Sequence, residues 1–159
     1  RYENPHEVGA DRIVNSVAAY ELFGGPIIAV DFGTATTFDC ISRNGEYMGG
    51  VIAPGVNLSL EALHSAAAAL PHVDISKPQS VVGTNTVACM QSGVFWGYMG
   101  LVREICARIK AERDRDMRVI STGGLAPLFQ QAERLFDDYK EDLTMHGLTV
   151  IHRFNKENN

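Results

Sequence analysis

The sequence lacks the cysteine pattern of a zinc site or a disulfide scaffold. Its three cysteines, Cys40, Cys89 and Cys106, form no CxxC pair and leave one unpaired in any disulfide scheme. None of them makes a zinc-type spacing with a histidine. Reduced thiols in a cytoplasmic protein are the simplest account. A metal site built on cysteine and histidine is therefore not expected.

Clustered positive charge and long apolar runs are also missing. The formal net charge is −5, and the basic residues are scattered apart from a mixed-sign stretch at 110–118. Because phosphate backbones attract clustered Lys and Arg, nucleic acid is not expected as the main partner. No apolar stretch reaches membrane-spanning length and no signal peptide opens the chain, so no membrane partner is expected.

The composition that is present suits one globular domain. Of the 159 residues, 45% are hydrophobic and 21% are charged, which allows a substantial apolar core. The chain begins at Arg1 inside a motif-like stretch rather than at Met, so we expect that a segment precedes it.

Hydrophobic spacing and turn residues predict alternating helices and strands. Helices are predicted at 10–23, 56–70 and 86–113, and after the turn at 122–124. Strands are predicted at 27–32, 37–42, 47–53 and 118–121, with a last strand or two within 143–153. The dipeptide Asn44-Gly45 predicts a hairpin between the second and third strands. A three-strand meander followed by alternating elements predicts an α/β fold with a mixed sheet and helices packed on it.

The end of the first strand carries a carboxylate, a glycine and hydroxyl groups. These are Asp31, Gly33, Thr34, Thr36 and Thr37. Glycine lets backbone amides converge on an anion, and threonine hydroxyls add donors. Asp31 suits a hydrated Mg²⁺ or another hard cation, so the stretch could hold nucleotide phosphates. Composition alone slightly favours an ordinary β-hairpin, but the position after a buried strand, beside other motifs, favours phosphate binding.

An acid and a base stand together at the start of the first helix, in the stretch 9–12. The carboxylate of Asp11 could accept a proton from a substrate hydroxyl, and Arg12 could clamp a carboxylate through its planar fork. The alternative is structural: an acid in the first turn complements the helix dipole, worth roughly 0.3–1 kcal/mol, and a surface arginine needs no special explanation.

Three further glycine-containing stretches each allow two interpretations. Gly49 and Gly50 lie inside a predicted strand, which indicates either a closely approaching ligand or a β-bulge. The stretch 122–124 is either a strand-to-helix turn or a platform for a nucleotide. The stretch 83–86 either caps the helix it precedes or holds a polar substrate at the helix N-terminus.

In combination and in order, these motifs resemble those of the type III pantothenate kinases, members of the acetate and sugar kinase, Hsp70 and actin superfamily. The resemblance runs from Tyr2 to about Arg153. It implies an actin-like, ribonuclease H-like lobe, one of two in the full enzyme. Residues 1–25 would then be a substrate-binding helix segment joining the lobes, 26–155 the C-terminal lobe and 156–159 a tail. The family's Asp-x-Gly-Asn-Thr loop has no match here, so the N-terminal lobe is expected to be absent and the chain inactive alone.

The resemblance also implies a reaction and a set of site residues. The reaction is transfer of the ATP γ-phosphoryl group to the 4′-hydroxyl of pantothenate, the first step of coenzyme A synthesis. Asp11 would be the general base, and Asp31 would bind a monovalent cation, K⁺ or NH₄⁺. Pantothenate would contact Tyr2, Gly9, Arg12 and Thr86. ATP, accompanied by Mg²⁺, would contact Gly33, Thr34, Thr36, Thr37, Gly123 and Gly124. Family members are homodimers with pantothenate near the subunit interface.

Two other functions are compatible with parts of this pattern. A non-catalytic regulatory or accessory homologue is one, but it would have no need of both Asp11 and Arg12. A sugar kinase or an exopolyphosphatase-like phosphatase of the same superfamily is the other. The stretch 9–12 and its distance from Asp31 favour pantothenate as the substrate.

Overall fold

A five-stranded mixed sheet forms the centre of the fold. The structure, a computed structural model, describes residues 2–67, 69–130 and 134–157. The strands are β1 (Ile27–Phe32), β2 (Ala35–Ile41), β3 (Tyr47–Pro54), β4 (Arg118–Thr122) and β5 (Asp138–Tyr139). Their order is β3-β2-β1-β4-β5. The meander β1-β2-β3 is antiparallel, whereas β4 runs parallel to both β1 and β5.

Five α-helices and one short 3₁₀ helix accompany the sheet in the described ranges. They are the 3₁₀ helix Pro5–Glu7, α1 (Ala10–Phe23), α2 (Val56–Ala66), α3 (Thr86–Glu112), α4 (Ala126–Gln130) and α5 (Leu143–Glu157). The side chain of Asn85 caps α3 by accepting a hydrogen bond from the Ala88 amide at 2.9 Å. Within these ranges, no helix combines the length and apolar character needed to cross a membrane.

The two faces of the sheet carry different helices. Alternating side chains of β1 separate them, with Ile28 and Val30 on one face and Ile27 and Ala29 on the other. The first face packs against α2, α3 and α4 in the larger apolar cluster. The second face packs against α1 and α5 in a smaller cluster. This three-layer arrangement confirms the predicted α/β fold class and agrees with the actin-like lobe that the resemblance implies.

The sequence predictions were wrong at one element. Residues 143–153, predicted as a strand or two, lie in helix α5. The β-branched run at 149–151 favoured a strand, but the helix buries Leu143 and Gly147, four residues apart, against α1. A side chain at position 147 would collide with the Val14 carbonyl, so the glycine lets the two helices approach closely.

Smaller differences concern element ends. Helix α2 ends at Ala66 instead of residue 70, and the two-residue strand β5 was not predicted. Of the predicted tail, residues 156 and 157 continue α5, and 158–159 lie outside the described residues. The division into a joining segment at 1–25 and a lobe at 26–155 stays a prediction.

Candidate active site

Asp31 occupies the edge of the sheet where the parallel strands β1 and β4 end. It pairs with Thr122 in the β1–β4 register. Its Oδ2 accepts a hydrogen bond from Asn15 Nδ2 at 3.0 Å, and Asn15 Oδ1 accepts one from the Thr144 hydroxyl at 2.6 Å. Helices α1 and α5 together therefore fix the orientation of the carboxylate. Asp31 Oδ1 is left beside the glycine-containing turns.

Glycine is required where those turns approach Asp31. Gly123 has φ +92°, and a Cβ there would lie 2.5 Å from Asp31 Oδ1 and 2.7 Å from the Phe32 carbonyl oxygen. At Gly33 a Cβ would lie 3.6 Å from the same Oδ1 atom. The turns after β1 and β4 thus meet around one carboxylate oxygen, although 90 residues separate them in the sequence.

The two turns also line one cavity of about 500 Å³. Its lining includes Gly33 and Thr34 after β1, Gly124 after β4, and Asn57 and Glu61 of α2. The structure therefore brings together two motifs that the sequence analysis assigned separately to nucleotide binding. Such a glycine-rich concave surface at the carboxyl ends of parallel strands is a usual location for a phosphate-bearing ligand.

The other two threonines of the loop are placed differently. Thr36 is fully buried, and its Oγ1 has no hydrogen-bond partner among the described residues. Thr37 is half-buried and pairs with Asp31 across β1 and β2. Their assignment to the phosphate loop stays a prediction.

Asp11 lies in the first turn of α1, exposed to solvent. A Cβ at Gly9 would lie 2.6 Å from Asp11 Oδ1, so the glycine makes room for this carboxylate. Burial raises the pKa of Asp31, the hydrogen bond from Asn15 lowers it, and the Asp11 charge raises it further. Burial also raises the pKa of Asp39, Arg12 and Tyr47 lower it, and the Asp11 charge raises it. The Asp11 charge is the weakest of these influences at both the half-buried Asp31 and the buried Asp39.

Arg12 is buried, in contrast to the surface arginine that was the structural alternative. Its Nε donates a hydrogen bond to Asp39 Oδ1 at 2.7 Å, and its Nη2 lies 2.7 Å from the same oxygen. The Tyr47 hydroxyl also donates to Asp39 Oδ1, at 2.9 Å. The guanidinium carbon lies 5.9 Å from the centre of the Tyr47 ring, and the Tyr2 ring lies 5.9 Å from that ring on centroids. Tyr2 and Arg12, predicted as substrate contacts, therefore share one aromatic neighbour.

Thr86 stands apart from these residues. It is exposed at the first position of α3, next to a polar cavity of about 360 Å³ lined by residues such as Lys77, Thr84 and Gln91. The residues around the N-terminus of α1 do not line that cavity. Its assignment to the pantothenate site stays a prediction.

The surroundings of Asp31 fit the predicted monovalent cation. One carboxylate oxygen is held by Asn15, and the other lies beside backbone that only glycine leaves accessible. Within residues 2–67, 69–130 and 134–157, no three His, Cys, Asp or Glu side chains form a group that could hold a metal ion. The assignment of a monovalent cation to Asp31 stays a prediction.

Three residues of this site were given no role by the sequence analysis: Asn15, Asp39 and Tyr47. Asn15 follows Arg12 by three positions, so a helical plot places both on the face that packs on the sheet. Asp39 shares a face of β2 with Thr37, two residues away. The spacing indicated which side chains share a face, but the contacts between α1 and β2 needed the tertiary structure.

Comparison with known proteins identifies the family. The family model for type III pantothenate kinase matches residues 1–108. The chain belongs to the type III pantothenate kinase family. A type III pantothenate kinase of Roseobacter denitrificans is 78% identical over 157 residues, which are 99% of this chain and 61% of that protein. One of Ruegeria pomeroyi is 78% identical over 151 residues, 95% of this chain and 58% of that protein.

The match with these type III pantothenate kinases is partial in length. The chain spans about 60% of the relatives that it matches. Among solved structures, a conserved Baf-family protein of Campylobacter jejuni, named as a transcriptional activator, superposes with a TM-score of 0.68 at 23% identity. That match covers 99% of this chain and 70% of the other, and it supports the fold alone.

Proposed function

We propose that the full-length protein containing this chain phosphorylates pantothenate at its 4′-hydroxyl with ATP, as the first step of coenzyme A biosynthesis. The observation that carries this proposal is the placement of Asp11. Its exposed carboxylate lies one helical turn before Asn15 on α1, and Asn15 binds Asp31 at the glycine-lined turn beside the 500 Å³ cavity. A candidate base and a candidate phosphate site thus occupy the same end of the sheet.

Each residue then has a chemical task. Asp11 accepts the proton of the attacking hydroxyl, since its carboxylate is open to solvent and needs no rearrangement to meet a substrate. The turn at Thr34 binds phosphate oxygens, with its backbone held by the hydrogen bond that the Gly33 amide donates to the Ala35 carbonyl at 3.1 Å. Arg12 binds the substrate carboxylate. Mg²⁺, when bound with ATP, supplies charge neutralisation on the phosphates.

Three finer assignments belong to the same proposal. Asp31 binds K⁺ or NH₄⁺ through the oxygen that Asn15 leaves free. The enzyme is a homodimer, in which the partner subunit completes the pantothenate site near Thr86. It works in the cytoplasm, which suits its three free cysteines.

The test is a coupled ADP-release assay with pantothenate on the full-length protein and its Asp11→Asn variant. General-base catalysis contributes about 10²–10⁴-fold, so kcat should fall at least a hundredfold while calorimetry shows that pantothenate still binds. Asp116→Asn is the control, because Asp116 is exposed and pairs with Arg43 away from the site. Unchanged turnover in Asp11→Asn would refute the base assignment. No pantothenate-dependent ADP release by the wild type would refute the function.

A further inference from the structure

Asp39 is a buried acid that the proposed reaction leaves without a role. Its side chain is 1% exposed on β2. Its Oδ1 accepts hydrogen bonds from Arg12 Nε and from the Tyr47 hydroxyl, whereas Oδ2 has no hydrogen-bond partner in the part of the chain that is described. Burying a carboxylate with an unsatisfied oxygen is costly, and a buried ion pair is weak evidence for stability alone. We therefore considered what this carboxylate does for Arg12.

The contacts of Arg12 hold its guanidinium in one orientation. The Nε edge faces Asp39, and the Tyr47 ring lies 5.9 Å from the guanidinium carbon. A Cβ at Gly50 would lie 2.7 Å from Nη2, which is buried. The side chain keeps 9% exposure, and Nη2, which is buried, contributes almost none of it. The part of the Arg12 side chain that solvent can reach is therefore small, and its direction is fixed.

Fixed direction matters for an arginine that binds a carboxylate. With Nε and Nη2 turned to Asp39, a substrate carboxylate can meet only the remaining N–H groups, and a charge-assisted hydrogen bond from them depends on their direction. A free arginine side chain would have to give up its rotamer freedom at the moment of binding, which weakens affinity. An arginine already held by a buried acid and a tyrosine loses less rotamer freedom when it binds the carboxylate.

We propose that Asp39 and Tyr47 are positioning residues, which hold Arg12 so that the accessible part of its guanidinium meets the carboxylate of the substrate. Gly50 lies beside the same group, since a Cβ there would lie 2.7 Å from Nη2, but its collision with the Phe38 carbonyl of β2 would be more severe. This inference rests on the proposed function, since it takes pantothenate as the bound acid. It adds Asp39 of β2 and Tyr47 of β3, to which the sequence analysis gave no role, as specificity determinants.

The test compares two substrates in the full-length protein: pantothenate and its uncharged analogue, in which an alcohol replaces the carboxylate. Tyr47→Phe removes only the hydroxyl that contacts Asp39 and keeps the ring. We expect its KM for pantothenate to rise about tenfold. The kcat, the KM for ATP and the KM for the uncharged analogue should stay within twofold of wild type. Tyr20→Phe is the matched control, because the Tyr20 hydroxyl contacts the Arg43 carbonyl at 3.4 Å instead.

Several outcomes would overturn the positioning role. If the Tyr47 hydroxyl only stabilises the fold, Tyr47→Phe will change kcat and KM equally for both substrates. If the hydroxyl has no role, neither value will change for either substrate. Asp39→Asn should raise the KM for pantothenate more than Tyr47→Phe does, again without changing the KM for the uncharged analogue. If that variant does not fold, the Tyr47→Phe result decides alone. If the wild type phosphorylates neither compound, the proposed function fails, and calorimetry then decides the positioning role. In that case, equal affinity of the wild type and Tyr47→Phe for pantothenate would overturn the positioning role.

Discussion

Replacing Gly123 by alanine should both destabilise the protein and disturb Asp31. At φ +92° an L-residue costs about 1–2 kcal/mol. The new Cβ would also lie 2.5 Å from Asp31 Oδ1 and 2.7 Å from the Phe32 carbonyl oxygen, and overpacking of this kind costs about 1–3 kcal/mol. The carboxylate can move aside, but the carbonyl belongs to β1 and cannot. We expect a loss of roughly 2–5 kcal/mol in the free energy of unfolding.

The neighbouring glycine provides the matched control. A Cβ at Gly124 would meet no atom within 4 Å, so Gly124→Ala should leave stability unchanged or slightly higher. Its methyl group would instead enter the cavity shared with Gly33 and Thr34, and the KM for ATP should rise. For Gly123→Ala, a loss of about 3 kcal/mol corresponds to a fall in Tm of roughly 6–12 °C for a chain of this size.

Differential scanning fluorimetry and ATP titration of both full-length variants would check this pair of predictions. We expect Gly123→Ala to act mainly by lowering Tm. We expect Gly124→Ala to weaken ATP binding without lowering Tm. A wild-type Tm for Gly123→Ala would show that the two turns do not meet as described. Wild-type ATP binding by Gly124→Ala would place the nucleotide elsewhere.

Two further predictions follow from titratable groups whose pKa burial raises, the half-buried Asp31 and two buried cysteines. Burial raises the pKa of Asp31, so the stability this group contributes is present below its ordinary value of 3.8 and is lost as pH rises through its folded-state pKa. Asp31→Asn should therefore raise Tm at pH 7 in potassium-free buffer, by an amount that shrinks toward pH 4; a lower Tm at pH 7 would contradict this. Burial also raises the pKa of Cys40 to about 11 and of Cys106 to about 12. A thiol reagent should label the exposed Cys89 alone before denaturation and all three cysteines after it; three equivalents in the native state would contradict the fold.

The sequence by itself determined the elements whose signals are local. Helix α1 and strand β1 have the predicted bounds. Apolar residues at helical spacing define the helix, and a short apolar run between turn residues defines the strand. The dipeptide Asn44-Gly45 correctly predicted the turn between β2 and β3. The ordered glycine and acidic motifs were enough to predict the family, which the family model and the close relatives confirm.

Only the tertiary structure decided the features that depend on distant partners. Helix α5 carries a β-branched run typical of a strand, and packing of Leu143 and Gly147 on α1 outweighs that local preference. The residues around Arg12 allowed either a carboxylate clamp or a surface arginine, and its burial against Asp39, 27 positions away on β2, appears only in the fold. The physical reason is the same in both cases. Burial energy depends on which faces meet, and the sequence of one element does not contain the face that it will meet.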